Sequence, residues 1–183
     1  MTKCLIYSGH RRTYHLNKEN HVQCLGDSQE VHFNDGDANM DFYNGITEWE
    51  HYRQNKVPET TPNQTVNQWH NNFMAFSKAP KGFDCYIRIR YDIKLSGAID
   101  FNRYPLADDV VYIPVDGDFW EGVNDRFAFG NYEAIRKYYS VYLLHPLLFH
   151  MGKRFHTESY LKHALDHQGV RIVRLEVTAD IVR

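Results

Sequence analysis

The segment at residues 84–93, which reads DCYIRIRYDI, constrains the fold of this chain most strongly. Side chains alternate across a β-strand, so every second residue from Cys85 onward belongs to one apolar face. Arg88, Arg90 and Asp92 share the opposite face. Because an unpaired charge is costly to bury, these three residues either form a ladder on a half-exposed strand or face a crevice with a ligand. At the carboxyl end of a strand in an open α/β sheet, that ligand would be a metal and a phosphorylated compound.

Length and composition limit the classes of protein to which the chain can belong. Its 183 residues suffice for one domain with a real core, so we expect residues 1–183 to form one domain, alone or within a longer protein. A net charge of −2 argues against a broad nucleic-acid or membrane surface. Three cysteines without metal-site spacing predict reduced thiols and a cytoplasmic location. The sequence shows no signal peptide and no apolar run long enough for a membrane span.

Apolar periodicity predicts strands that alternate with helices. Besides the segment above, the predicted strands are residues 3–7, 22–25, 30–33, 98–101, 109–115 and 170–177. The predicted helices are one that starts after the capping sequence Thr61-Pro62, one capped by Asn131 that Pro146 ends or kinks, one capped by Thr157 that ends near Gly169, and part of residues 42–52. The alternation predicts a three-layer α/β domain whose central sheet is mixed, mostly parallel and flanked by helices.

The turn after the first predicted strand is a candidate nucleotide site. Ser8, Gly9, His10 and Arg11 combine small residues with a cation, and backbone N–H groups in such a turn can approach a nucleotide. With one glycine, the turn is neither a dinucleotide fingerprint nor a P-loop. A tight turn into the first helix, with a surface arginine, explains the same residues.

Two groups of acids lie between residues 115 and 130. Asp116-Gly-Asp118 has the letters of a metal site, but Trp120 stands where an EF-hand needs an oxygen ligand. Ordinary turn chemistry also explains this pair. Asn124-Asp125-Arg126 stands between apolar Val123 and Phe127, where polar residues need a reason. A carboxylate at that position acts as a base or binds a sugar hydroxyl.

Several stretches of the sequence resemble a known family of enzymes. They are the Gly9-His10-Arg11 turn, the strand end Arg90-Tyr-Asp92, Ile113-Pro114, the stretch GVNDRFAFG at residues 122–130, and a helix start at Glu158-Ser-Tyr-Leu161. Together they are similar to the small GT-A type glycosyltransferases of polysaccharide loci and large algal viruses. The resemblance is greatest to the chlorella-virus enzymes that glycosylate the major capsid protein. It covers most of the chain and implies a GT-A-like (Rossmann-like) fold.

The resemblance also implies an activity and a set of site residues. The activity is metal-dependent transfer of a hexose-type sugar from a UDP-sugar to a glycan or glycoprotein acceptor, with a viral capsid glycan, made in the host cytoplasm, as one candidate. The nucleotide would contact Ser8, Gly9, His10, Arg11 and Arg90, and the donor or acceptor sugar would contact Asn124, Asp125 and Glu158. Asp125 would be the catalytic residue, and Asp92 would hold a Mn²⁺ or Mg²⁺ ion. Arg90 replaces the first acid of the family's Asp-x-Asp metal motif, which leaves Asp92 without its usual companion.

Two other classes of function are compatible with these residues. A sugar-nucleotide nucleotidyltransferase needs a similar crevice, although the sequence lacks the glycine-rich, lysine-bearing loop expected after its first strand. A non-catalytic sugar- or protein-binding module would use the 13 Tyr and 11 Phe residues as a stacking surface. Such a module would need neither Asp92 nor a metal.

Overall fold

The structure, a computed structural model, describes residues 1–9, 13–34, 62–153 and 156–182 of the chain. Within these ranges the strands are β1 (Lys3–Gly9), β2 (Gln29–Asn34), β3 (Cys85–Arg90), β4 (Ile93–Leu95), β5 (Val110–Pro114), β6 (Phe127–Gly130), β7 (Arg171–Leu175) and β8 (Ala179–Ile181). The helices are α1 (Tyr14–Leu25), α2 (Pro62–Ser77), α3 (Tyr132–Tyr139), α4 (Val141–His150) and α5 (Thr157–His167), and a 3₁₀ turn spans Phe101–Arg103.

Six of the strands form one mixed sheet in the order β2-β1-β3-β6-β5-β7. The pairs β1–β2, β1–β3 and β5–β7 are parallel, whereas both pairs made by β6 are antiparallel. β4 and β8 form a separate two-stranded antiparallel sheet. The prediction of a mixed, mostly parallel sheet flanked by helices is therefore confirmed.

β3 lies inside the sheet and is buried on both faces. Its alternate residues from Cys85 to Ile89 belong to a core shared with α1, β4 and β8. Tyr86 belongs to the other core, which helices α2 to α5 cover. Arg88 continues this second face and is only 1% exposed. The half-exposed strand that a simple Arg–Asp ladder requires is therefore not observed.

Polar contacts rather than an apolar stripe attach helix α1 to the fold. The Asn20 side chain donates to the Leu95 carbonyl at 3.0 Å and accepts from the Leu95 N–H at 2.8 Å. Nε2 of His21 lies 2.6 Å from the carbonyl oxygen of Ile93. These side chains hydrogen-bond to the backbone of β4, so α1 forms without the periodicity that marks an amphipathic helix. The strand predicted at residues 22–25 is wrong for this reason, because the segment is the last turn of α1.

The helices of the second half differ in detail from the prediction. Asn131 caps α3 as expected, and its side chain accepts from the Ala134 N–H at 2.9 Å. The predicted single helix is divided at Ser140 into α3 and α4, and Pro146 lies inside α4. Thr157 is the first residue of α5 rather than its cap.

The remaining expectations concern other segments of the chain, the cysteines and membrane spans. The strand predicted at residues 98–101 is wrong, because this segment is irregular and runs into the 3₁₀ turn that Asp100 caps. The predicted helical part of residues 42–52 and the cap Thr61 lie outside the described residues. The three cysteines are free and buried. None of the described helices has the length and apolarity that crossing a membrane requires.

Candidate active site

The carboxyl end of β3 carries a closed ion pair between Arg90 and Asp92. Nε of Arg90 donates to Oδ1 of Asp92 at 2.9 Å, and Nη2 donates to Oδ2 at 2.7 Å. This two-bond geometry is the strong form of an arginine–carboxylate contact. Burial alone would raise the pKa of Asp92, but the hydrogen bonds and the charge of Arg90 outweigh burial and lower it. Both oxygens of Asp92 are therefore engaged by the residue two positions before it.

Arg88 places a second guanidinium on the same face of β3. Its Nε and Nη1 atoms are buried and make no hydrogen bond to any residue that the structure describes. The charge of Arg88 acts on the hydroxyls of Tyr138 and Tyr139 in α3 and on Asp92. A buried guanidinium without a bound carboxylate is unusual, because burying an uncompensated charge is very unfavourable. The charges of Asp125 and Glu158, as well as that of Asp92, act on Arg90, so two guanidinium groups lie among three carboxyl groups at the end of β3.

The loop before β6 packs tightly against the first turn of α5. The Val123 N–H donates to the Glu158 carbonyl at 3.2 Å, and the Ser159 hydroxyl donates to the Trp120 carbonyl at 2.6 Å. A Cβ atom on Gly122 would overlap the backbone of Glu158 and Ser159. Only glycine allows this close approach, so Gly122 brings the Asn-Asp sequence of the loop next to the start of α5.

Asp125 lies at the end of this loop and is 3% exposed. The Gln68 side-chain amide, from α2, donates to its Oδ2 atom. The Tyr138 hydroxyl donates to its backbone carbonyl at 3.2 Å. Helix α2 thus binds the carboxylate of Asp125 and helix α3 binds its backbone, and the residue is almost completely buried.

Glu158, in the first turn of α5, faces the same surrounding. Burial, followed by the negative charge of Asp125, raises the pKa of Glu158 to about 8, although Arg126 and Arg90 act in the opposite direction. Nδ1 of His156 lies 2.7 Å from Oε2 of Glu158. A buried carboxyl group beside another negative charge holds its proton more tightly than one in water. Near neutral pH, Glu158 therefore retains a proton beside Asp125.

Asp116, Asp118 and Asn124 close the loop on itself. The Asn124 amide donates to the Asp116 carbonyl at 2.7 Å, and the Asn124 N–H donates to Oδ1 of Asp118 at 2.8 Å. Arg174 of β7 donates to both oxygens of Asp118, and the Ala179 N–H donates to Asp116. The Asn124 side chain also accepts from the Arg126 N–H at 2.7 Å. Its observed contacts are thus internal to the loop.

The predicted nucleotide turn is described only in part. Ser8 is buried near the end of β1, and its hydroxyl donates to Oδ1 of Asn72 in α2. Gly9 is the last residue of β1. Ser8 is the direct neighbour of Arg90 in the register of β1 and β3, so the ends of both strands meet at one edge of the sheet. His10 and Arg11 lie outside the described residues.

Helix α2 supplies two polar partners that the sequence did not assign to the site. Gln68 contacts Asp125, and Asn72 contacts Ser8. Positions 68 and 72 are four apart and therefore lie on one face of the helix. The signal was present, since polar residues repeat at helical spacing beside the apolar stripe of Val66 and Trp69. It becomes interpretable only when α2 is known to cross the end of β1.

The donor set at the end of β3 does not fit a divalent cation. Asp92 is the only acid of the Arg90-Tyr-Asp92 turn, and Arg90 already binds both of its oxygens. A cation there would also lie beside two guanidinium groups. Across the described ranges, no three His, Cys, Asp or Glu side chains lie close enough together to hold a metal ion. Asp116 and Asp118, which have the letters of a metal motif, are engaged by the loop and by Arg174.

Sheet order and flanking helices together give the chain the α/β fold of the GT-A glycosyltransferases. A structure of the galactosyltransferase LgtC with donor and acceptor sugar analogues superposes on it with a TM-score of 0.54 at 8% identity, over 94% of this chain and 73% of LgtC. An active-site mutant of LgtC gives a TM-score of 0.54 at 7% identity, over 94% and 72%. Apo mouse xyloside xylosyltransferase 1 gives a TM-score of 0.47 at 12% identity, over 94% of this chain and 72% of the mouse protein's chain.

Comparison at the level of sequence adds nothing to this likeness. No protein-family model matches the chain, and no curated protein matches it either. At identities this low, the structural likeness defines the fold, and the activity must be argued from the site itself.

Proposed function

We propose that residues 1–183 form a glycosyltransferase domain that moves a hexose-type sugar from a UDP-sugar to a hydroxyl group of a glycan or glycoprotein. The observation that carries this proposal is the docking of the loop that holds Asp125 onto the first turn of α5 at Glu158, with both acids acting on Arg90 at the carboxyl end of β3 in a GT-A fold. Open α/β sheets bind their ligands at that edge. Enzymes that act on sugars use neighbouring carboxyl groups of which one has a raised pKa, as Glu158 has.

In this proposal the two carboxyl groups have different roles. Transfer breaks the bond between C1 of the sugar and the diphosphate, and the acceptor hydroxyl must lose its proton. Asp125 accepts that proton or stabilises the positive charge that develops at C1, while Gln68 fixes the orientation of its carboxylate. Glu158 carries a proton near neutral pH and donates a hydrogen bond to a sugar hydroxyl. Asn124 contributes by holding the loop that carries Asp125.

The leaving diphosphate needs positive charge, and the end of the sheet provides it. In this proposal the nucleotide contacts Ser8, Gly9 and Arg90, together with His10 and Arg11, which lie outside the described residues. A guanidinium can bind phosphate oxygens with two bonds. A Mn²⁺ or Mg²⁺ ion, when bound, would supply additional charge on the diphosphate, and Asp92 is the residue that the sequence assigns to it. Because the described residues do not fit such an ion, no step of this proposal depends on it.

The test is release of UDP from a panel of UDP-hexoses. The chain should release UDP slowly from one donor, and a saccharide acceptor should accelerate the release. The acceptor panel should include viral capsid glycans, since the sequence resemblance implies them. Free-sugar binding without UDP release would indicate a binding module instead. Formation of a UDP-sugar from UTP and a sugar 1-phosphate would indicate a nucleotidyltransferase.

A further inference from the structure

The end of β3 holds a fixed cation in the form of Arg90. We infer that the Arg90 guanidinium, with the charge of Arg88 behind it, neutralises the donor diphosphate in place of a divalent metal ion. UDP binding and sugar transfer are then independent of divalent cations. This inference rests on the proposed function and specifies how that function is achieved.

Arg90 has the access and the bonding capacity that this role needs. Its side chain is 27% exposed, in contrast to that of Arg88. Asp92 occupies Nε and Nη2, whereas Nη1 makes no hydrogen bond to any described residue. Asp92 thereby fixes the plane of the guanidinium, as second partners orient metal ligands in other proteins. A phosphate oxygen can then bind Nη1 without displacing Asp92.

Arg88 is a second, buried positive charge on the same face of β3 as Arg90. Arg88 and Arg90 are two positions apart on one face of β3, so their Cα atoms are about 7 Å apart. The positive charge of Arg88 acts on Asp92, the carboxylate that holds Arg90. Part of the negative charge around Arg90 is therefore already offset when a phosphate arrives. We therefore treat Arg88 as a positioning residue that strengthens anion binding at its neighbour.

The same contacts make a metal ion at Asp92 unfavourable. To reach the carboxylate, the ion would have to replace both hydrogen bonds from Arg90. The displaced guanidinium and the buried Arg88 would then repel the ion. The charge of Asp125 near Arg90 opposes an anion, but both arginines attract one, whereas a divalent cation at Asp92 must first displace Arg90. Electrostatics at the end of β3 thus favours direct binding of the diphosphate.

The experiment measures UDP binding to the 183-residue chain by calorimetry, once in EDTA and once in Mn²⁺. We expect dissociation constants that agree within about threefold. Arg90→Gln should weaken UDP binding by about tenfold to a hundredfold in both buffers, the usual range for a lost charge-assisted hydrogen bond. Arg90→Lys, which keeps the charge but loses the planar fork, should fall between the two. Arg136→Gln, which removes an exposed guanidinium paired with Glu133, is the matched control and should bind like the parent chain.

Arg90→Asp provides a test in the opposite direction. This substitution creates an Asp-Tyr-Asp sequence with Asp92, so the variant should bind UDP poorly in EDTA and regain binding in Mn²⁺. Melting temperatures of all variants, measured without ligand, report whether each one folds.

The outcomes separate the inference from the function on which it rests. If the parent chain binds UDP in Mn²⁺ but not in EDTA, the inference is overturned and the glycosyltransferase proposal stands. If the folded parent chain binds UDP in neither buffer, the proposed donor is wrong, and the inference falls with it. The comparison of buffers needs no variant, so it remains decisive even if Arg90→Gln fails to fold.

Discussion

Two pairs of acids lie within or beside the loop before β6, and they have opposite fates. Asp116 and Asp118 accept hydrogen bonds from loop N–H groups, from Ala179 and from Arg174, so their charges are used within the fold. Asp125 and Glu158 are both buried, and the charge of Asp125 opposes the ionisation of Glu158. Judged by residue type alone, both pairs are candidates for a functional site. A pair of carboxyl groups is therefore free to act on a ligand only when hydrogen bonds and ion pairs within the fold do not already occupy its oxygens.

The same rule applies to polar clusters on the two faces of the sheet. On the α1 face, the Tyr7 hydroxyl lies 3.0 Å from Nδ1 of His21, and Nε2 of His32 lies 3.0 Å from Glu30. The ring of Tyr7 stacks on that of His32 at 4.8 Å. On the opposite face, Arg88 has donors without a described partner. Trp69 and Tyr139 also have a polar atom without a described partner, but a buried charge is costlier to leave unpaired than a neutral group, so Arg88 is the stronger indication of a ligand.

The largest expected effect separates the two acid pairs directly. Asp125→Asn should lower the rate of sugar transfer by about a hundredfold to ten-thousandfold, because it removes a base but keeps the shape of the side chain. Its binding of UDP should change little, since the nucleotide site that we propose lies toward β1. The matched variant Asp118→Asn should keep near-normal transfer and lose about 1 kcal/mol of stability or less, because the Arg174 pair is partly exposed. Turnover and melting temperature of both variants decide the comparison.

Two results would contradict this contrast. Near-normal turnover in Asp125→Asn would remove that residue from the chemistry. A loss of activity in Asp118→Asn without a change in melting temperature would assign a role in the reaction to the pair that we regard as structural.

A smaller effect is expected from Gly122→Ala, which disturbs the contact that brings the loop to α5. The added methyl group would overlap the backbone of Glu158 and Ser159, so the loop must move. Overpacking of this kind costs about 1–3 kcal/mol, and transfer should fall together with stability. Gly97→Ala is the control, since a Cβ atom there meets nothing within 4 Å. Thermal unfolding of both variants gives the measurement, and equal melting temperatures would show that the close approach is not required.

Sequence reasoning reached the scaffold more readily than the site. The alternation in residues 84–93 was sufficient to predict β3 as an interior strand, because an apolar face needs a core. The strand ends at Arg90, however, and Ile93 begins β4 in the other sheet. Asp125 and Glu158 were linked only by resemblance, since they are far apart in sequence and periodicity carries no information about a loop docking on a helix. Gly122 creates that link, but its role is visible only when the α5 backbone is beside it.

Helix α1 shows a second limit of sequence reasoning. Its contacts with β4 use asparagine and histidine side chains, which local patterns assign to turns. A prediction from apolar periodicity therefore misses it, and the last turn of α1 was predicted as a strand. The partners of Asp116 and Asp118 are equally hard to predict from local patterns. Arg174, which binds Asp118, lies in β7, 56 residues further along the chain.

The smallest expected effect concerns the pH dependence of stability. Glu158 has a pKa of about 8 in the folded chain against an ordinary value of 4.5, so between these values the folded state binds the proton that the unfolded state has lost. Its contribution to stability is therefore complete below about pH 4.5 and is lost as the pH rises through 8. In Glu158→Gln this dependence is absent. The melting temperature of the parent chain should thus fall relative to that of Glu158→Gln by about 3 °C or more between pH 6 and pH 8.

Glu133→Gln, which changes an exposed glutamate of α3, is the control and should follow the parent curve. Because the charge of Asp125 contributes to the raised pKa, the effect should also be weaker when Glu158→Gln is compared in an Asp125→Asn background. Parallel melting curves for the parent chain and Glu158→Gln across this range would mean that Glu158 is ionised at neutral pH, and the distinction between the two acid pairs would then disappear.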